Sequence, residues 1–150
     1  MGLVVVSAGY RHLSPIDGPA FPIWRTTATQ LCVFGQSARV LKAETVSLMS
    51  QNAMGDIRCR AMKTAQPPLS NDLDFLEGMN WGLSFLINPE PLPTGRSAGS
   101  LAWAGLANSY YWIDPAKGVA GVYATQVLPF FDEKAVQAFQ AFETEVYRAI

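Results

Sequence analysis

The 150-residue sequence predicts an α+β fold, an antiparallel β-sheet with a C-terminal helix packed on it. Three observations carry this expectation. First, Asp114-Pro115-Ala116-Lys117-Gly118 separates two β-prone runs, 109–113 and 119–128. Proline suits the first corner of a turn, and glycine suits the left-handed position that closes it. Second, Ala135, Phe139, Phe142, Val146 and Ile150 follow Asp132 at spacings of four and three, the pattern of a capped helix with one apolar stripe. Third, charged residues make up 15% of the chain, against roughly 25% in ordinary domains. Between positions 79 and 131 they are only Glu90, Arg96, Asp114 and Lys117. A sheet so poor in charge needs most of its surface covered, by this chain or by another.

Taken in order, residues 1–36 read as an irregular N-terminal segment ahead of the region 37–150, the two forming one domain. Residues 3–6 are a candidate strand, Pro15, Gly18, Pro19 and Pro22 break any longer element, and 26–34 is β-prone without clean alternation. The spacing of Leu41, Thr45, Leu48 and Met49 predicts a helix over 42–52, stopped by Gly55. Pro67-Pro68 and Ser70-Asn71-Asp72 mark 56–78 as a long connection, with a turn of helix near 73–76.

A strand is expected over 81–87, then a rigid, extended proline loop over 88–93. Residues 100–104 and 109–113 are strand-like, either one bent strand or two meeting at Gly105. Tyr111 should point to the face opposite Tyr110 and Trp112. The returning strand over 119–128 stops at Pro129, and the final helix runs over 132–150. The expected sheet has three or four strands, with Phe139 and Phe142 buried beneath the helix.

Composition excludes several classes. A net charge of −1 offers no electrostatic grip on nucleic acid or anionic lipid. Cys32 and Cys59 are too few for a disulfide framework or a zinc site and read as two reduced, partly buried thiols. No apolar run reaches the roughly 18 residues of a membrane span. The N-terminus lacks a basic leader, and Ser7 falls one place late for myristoylation. A soluble, cytoplasmic protein is expected, without cofactor or metal.

Gly95-Arg96-Ser97-Ala98-Gly99 matches G-x-S-x-G, which makes Ser97 the candidate nucleophile. In hydrolases that pattern is a turn from strand to helix. Here a proline loop precedes it and a strand follows, so a tight turn of small residues is the competing reading. The single histidine, His12, could serve as a base but lies upstream beside Arg11, as a surface histidine would. Arg58, Arg60 and Lys63 read as a solvated loop.

The longer run from Gly95 through Leu106 places small residues before Trp103-Ala104-Gly105, then an aromatic strand and a turn ending at Pro115. It resembles the third active-site element of the serine esterases related to class C β-lactamases, the family VIII carboxylesterases. Arg39-Val40-Leu41-Lys42-Ala43-Glu44-Thr45-Val46, Trp81-Gly82-Leu83-Ser84-Phe85, Gly121-Val122 and Thr125-Gln126-Val127-Leu128-Pro129 extend the resemblance over 38–150. It implies the sheet half of a β-lactamase/transpeptidase-like fold, the C-terminal part of a longer enzyme.

In that family a Ser-x-x-Lys supplies the nucleophile and a Tyr-x-Asn-like motif relays the proton. The third element builds the oxyanion wall. By resemblance, Trp103, Ala104 and Gly105 form that wall, Gly105 admits a close backbone approach, and Leu106 supplies a second oxyanion donor. No serine or threonine of the sequence has lysine three residues on, and no Tyr-x-Asn occurs. Three readings stand at this point. The first is an esterase-type hydrolase, or a remnant of one, acting on short acyl esters or β-lactams; Trp103 in place of a lysine favours esters. The second is a non-catalytic binding or assembly module. The third is a hydrolase using Ser97 with His12 and Asp114. The charge-poor sheet and its open edge further predict a homo-oligomer, with Trp103 or Tyr111 near the contact.

Overall fold

The computed structural model describes residues 2–7, 26–27 and 41–150. Its centre is a meander of five antiparallel strands: β3 (Asn80–Trp81), β4 (Leu86–Ile87), β5 (Leu101–Gly105), β6 (Ser109–Asp114) and β7 (Val119–Ala124). Two N-terminal strands, β1 (Gly2–Ser7) and β2 (Thr26–Thr27), complete a seven-stranded sheet of order β2-β1-β7-β6-β5-β4-β3. Helix α1 (Ala43–Met49) and a 3-10 turn (Asp74–Leu76) precede the meander, and helix α2 (Glu133–Arg148) follows it.

The sheet-and-helix architecture is the expected one, with more strands than the three or four anticipated. The candidate strand at 3–6 is present as β1, so the N-terminal segment is not irregular throughout. It pairs with β7 in parallel, from Gly2 opposite Val119 to Ser7 opposite Ala124, beside the expected antiparallel strands. A parallel neighbour requires a long crossover, and here residues 8–118 lie between the two strands.

The region over 81–87 is a hairpin rather than one strand. The Gly82 N–H donates to the Phe85 carbonyl at 2.8 Å, closing a turn between β3 and β4. Residues 100–113 form two strands, with Leu101 opposite Ile113 and Gly105 opposite Ser109. The next turn is as read: the Lys117 N–H donates to Asp114 Oδ1 at 3.1 Å, and Gly118 has φ 64°. Strand β7 ends at Ala124, four residues earlier than expected. Past it, the Val127 and Pro129 carbonyls are taken by the Asn108 side chain instead of a neighbouring strand.

Alternation on β6 sets the core. Tyr110, Trp112 and Asp114 are buried, while Ser109, Tyr111 and Ile113 are half-buried on the other face. Helix α2 lies over the first face. Asp132 caps it by accepting from the Ala135 N–H at 3.0 Å. Phe139 stacks on Tyr110 with centroids 4.7 Å apart, and Phe139 and Phe142 meet Trp112 edge-on at 5.8 and 5.6 Å. Both phenylalanines are half-buried, less than expected, and Ile150 at the end of the stripe is 68% exposed because it lies beyond the sheet-packed part of α2. Trp112 is fully buried because Gly121 stands opposite it on β7. A Cβ at position 121 would lie 2.0 Å from the indole, so the tryptophan fits only over a glycine.

Candidate functional site

Positions 103–106 lie at one end of the β5–β6 hairpin. The ladder from β4 reaches only Leu101 and Ala102. Trp103, Ala104 and Gly105 therefore meet no strand on that side among the described residues. The Trp103 ring rests edge-on against Trp81, centroids 4.7 Å apart. Gly105 and Leu106 are exposed, and a Cβ on Gly105 would meet nothing nearer than Ser109 at 3.9 Å, so no described residue crowds the sheet face at this glycine.

The connection over 106–108 is set by Asn108, whose φ of 57° is the left-handed position that ends a three-residue hairpin loop. Its buried side chain is saturated. Nδ2 donates to the Val127 and Pro129 carbonyls at 2.8 and 2.7 Å, while Oδ1 accepts from the Tyr110 hydroxyl at 2.7 Å and the Asp132 N–H at 3.0 Å. Burial, with Asp132 nearby, pushes the Tyr110 phenol well above its ordinary pKa and keeps it a donor. One amide thus joins the hairpin end to the start of α2.

Ser97 lies at the opposite end of β5. Its loop turns through Gly95 and Gly99, at φ 106° and 76°, and leads into a strand, not a helix. The Asn88 side chain donates to the Ser97 and Glu90 carbonyls and accepts from the Ser100 hydroxyl, which fastens the proline loop to β5. The Ser97 N–H donates to Asp114 Oδ2 at 2.9 Å. Asp114 also accepts from the Tyr147 hydroxyl at 2.9 Å, and that hydroxyl accepts from the Trp112 indole at 3.1 Å. Burial pushes the Asp114 carboxyl up. Donors outweigh it: the Ser97 and Lys117 N–H groups, the Ser97 hydroxyl and the Tyr147 hydroxyl hold it below its ordinary value. Tyr147 is raised, by burial first and by Asp114 second. The structure brings Ser97 and Asp114 together and leaves the length of β5 between them and Gly105. His12 lies outside the described residues.

A third feature lies between the sheet and α2. A cavity of about 220 Å³ is bounded by Leu86, Ala102 and Tyr110 on the sheet and Val136 and Phe139 on the helix, with Trp103 and Ala104 also on its wall. Arg96 and Glu143 line it as a buried ion pair, Arg96 Nε donating to Glu143 Oε1, and the guanidinium sits 5.9 Å above the Trp112 ring. The Thr94 hydroxyl, on the same wall, is buried without a hydrogen-bond partner among the described residues.

Asn108, Asn88 and Glu143 are central residues that the sequence reading passed over. Glu143 had a signal: it lies four residues after Phe139 and three before Val146, inside the apolar stripe of α2. An acid on a buried face implies a buried cation, and the sheet region offers only Arg96 and Lys117.

Among the described residues no group of three His, Cys, Asp or Glu side chains could hold a metal, and no helix is long and apolar enough to cross a membrane. Cys59 is a free thiol raised in pKa by burial; Cys32 is outside the described residues.

No family model matches the chain, and no curated protein does. Solved structures do. Simvastatin synthase (LovD) from Aspergillus terreus, as a LovD6 mutant, aligns with TM-score 0.58 and 24% identity over 73% of this chain and 29% of that one. The unliganded selenomethionyl enzyme gives TM-score 0.56 and 23% identity over 71% and 28%. The chain thus spans less than a third of the length of these neighbours. At such identity the likeness is one of fold, and the sheet with its C-terminal helix is the sheet part of a β-lactamase/transpeptidase-like fold.

Proposed function

We propose that this chain forms the ester-binding wall of a β-lactamase-like serine hydrolase, with positions 103–106 facing a short acyl ester. The observation that supports it is the strand edge at Trp103, Ala104 and Gly105, which β4 leaves unpaired. Unpaired backbone N–H groups on a fixed strand are donors for a developing oxyanion, and the uncrowded sheet face at Gly105 admits a carbonyl. The sequence carries no Ser-x-x-Lys and no Tyr-x-Asn. Ser97 spends its N–H on Asp114 at the far end of β5. The chain therefore binds esters but turns them over weakly, at the level left when a nucleophile is removed from such a site.

A fluorophosphonate probe with mass mapping, run beside hydrolysis of p-nitrophenyl butyrate, tests this. No serine should be labelled, and Ser97→Ala should change hydrolysis by less than about threefold. Saturable quenching of tryptophan fluorescence by the ester should weaken in Trp103→Ala. Labelling of Ser97, with about a hundredfold loss of hydrolysis in Ser97→Ala and the fold intact, overturns the reading in favour of Ser97 as nucleophile.

A second reading, an assembly module, is favoured by the apolar side chains exposed before β4: Leu48, Ile57, Met62, Leu69 and Leu83, each at least 40% exposed. It predicts neither labelling nor ester binding, together with a mass in light scattering that rises with concentration.

A further inference from the structure

We propose that the cavity between strands β4–β6 and helix α2 binds a small neutral carbonyl compound with one ring or a short chain, its carbonyl oxygen held by the Arg96 guanidinium. Size comes first. A cavity of about 150 Å³ accommodates benzene, so about 220 Å³ admits a ring with a short substituent. The wall is mainly apolar and aromatic, with few polar groups, as in small-molecule sites generally.

The polar group of the ligand follows from Arg96. Its residue is 6% exposed, and Glu143 is 1% exposed. A guanidinium carries five N–H donors and no acceptor. Here Nε is bonded to Glu143, and the two terminal nitrogens make no hydrogen bond to any described residue. The guanidinium lines the cavity, where its terminal N–H groups can reach whatever enters. A group that bonds them must be an acceptor, because guanidinium can only donate.

The charge of the ligand follows from Glu143, which already neutralises Arg96. A carboxylate entering the cavity would lose its hydration and face Glu143 with no free counter-charge, and a cation would face Arg96. An uncharged acceptor, such as a ketone or ester carbonyl, takes the free N–H groups without either cost. This site does not rest on the ester-wall reading: it lies under α2 and needs no nucleophile.

Calorimetric titration of the full chain with three probes tests it. Acetophenone carries the carbonyl, α-methylstyrene replaces that oxygen with a methylene at nearly the same shape, and benzoate carries the charge. Acetophenone should bind at least about tenfold more tightly than α-methylstyrene, because the latter displaces solvent from the cavity-lining guanidinium and offers its donors no acceptor. Benzoate should bind more weakly than acetophenone. In the double variant Arg96→Met with Glu143→Leu, which replaces both partners with apolar groups and so spares the fold, the acetophenone preference should shrink to within about twofold while α-methylstyrene still binds. Equal affinity of acetophenone and α-methylstyrene for the unmodified chain overturns the proposal, even where the double variant fails to fold. So does tighter binding of benzoate, an unchanged preference in the double variant, or no binding of any probe, which would mean that water or the chain itself fills the cavity.

Discussion

Two helices with the same kind of apolar periodicity meet different fates in this molecule. Helix α2 lays Ala135, Phe139, Phe142 and Val146 on the sheet and closes around a fully buried Trp112. Helix α1 buries no residue, and Leu48 on its stripe is 57% exposed. What ties α1 and the connection after it to the sheet is backbone hydrogen bonding. The Leu83 N–H donates to Met49, Ala53 to Trp81 and Cys59 to Met79, at 3.1, 2.7 and 2.9 Å. A stripe at helical spacing says only that a helix has a face to bury. Side-chain burial against tertiary partners supplies most of the stability of a short helix, and no residue of α1 is buried.

That contrast is broken most directly at Gly121. A single added methyl would overlap the Trp112 ring, wedged between β7 and α2. Gly121→Ala should destabilise the chain by about 4 kcal/mol or more, at the upper end for overpacking. Denaturant unfolding followed by tryptophan fluorescence measures this, and a loss below about 1 kcal/mol would show that Trp112 can move aside. Phe139→Ala comes next. It removes the ring that contacts Tyr110, Trp112 and Tyr123, and about 3 kcal/mol is expected from the same experiment, reduced somewhat because Phe139 is only half-buried.

The same contrast separates what was legible in the sequence from what was not. The turn at 114–118 and the helix behind Asp132 are set by local chemistry, a proline, a glycine and a capping carboxylate, and a local reading finds them. The run over 81–87 defeated it because the aromatic and aliphatic residues outweigh Gly82, Leu83 and Ser84, which make the turn. The early end of β7 was hidden because it depends on Asn108, about twenty residues away in sequence. The candidate site divides likewise. The tryptophan and glycine of 103–105 are visible as residues, whereas the unpaired edge that makes them interesting depends on where β4 stops. The cavity needs both the sheet and α2 in place, and only the misplaced charge of Glu143 announced it.

Asp114 offers a smaller, pH-dependent test within the densely packed region. Its folded-state pKa is depressed, so the unfolded chain takes up its proton at higher pH than the folded chain does. The stabilisation is complete above the unfolded value of about 3.9 and is lost as pH falls through the folded value. Asp114→Asn should cost about 2 kcal/mol at pH 7, because one acceptor oxygen facing Ser97, Lys117 or Tyr147 becomes a donor. Below pH 4 the gap between the two proteins should narrow. A gap that stays constant down to pH 2 would show that the charge on Asp114 contributes nothing.

The smallest effect is expected in the other region, at Leu48. Its side chain lies on the α1 stripe yet is more than half exposed, and no residue of that helix is buried. Leu48→Ala removes little buried surface and replaces leucine with the best helix former, so monomer stability should change by less than about 0.5 kcal/mol. The comparison with Phe139 is the point, since both residues occupy the apolar stripe of their helix. If Leu48→Ala instead costs about 2 kcal/mol or more, the size of loss a core leucine gives, then α1 has a partner in solution. A concentration series separates the two possible sources. A cost that grows with protein concentration places the partner on a second copy of the chain, and a cost independent of concentration places it within the same chain.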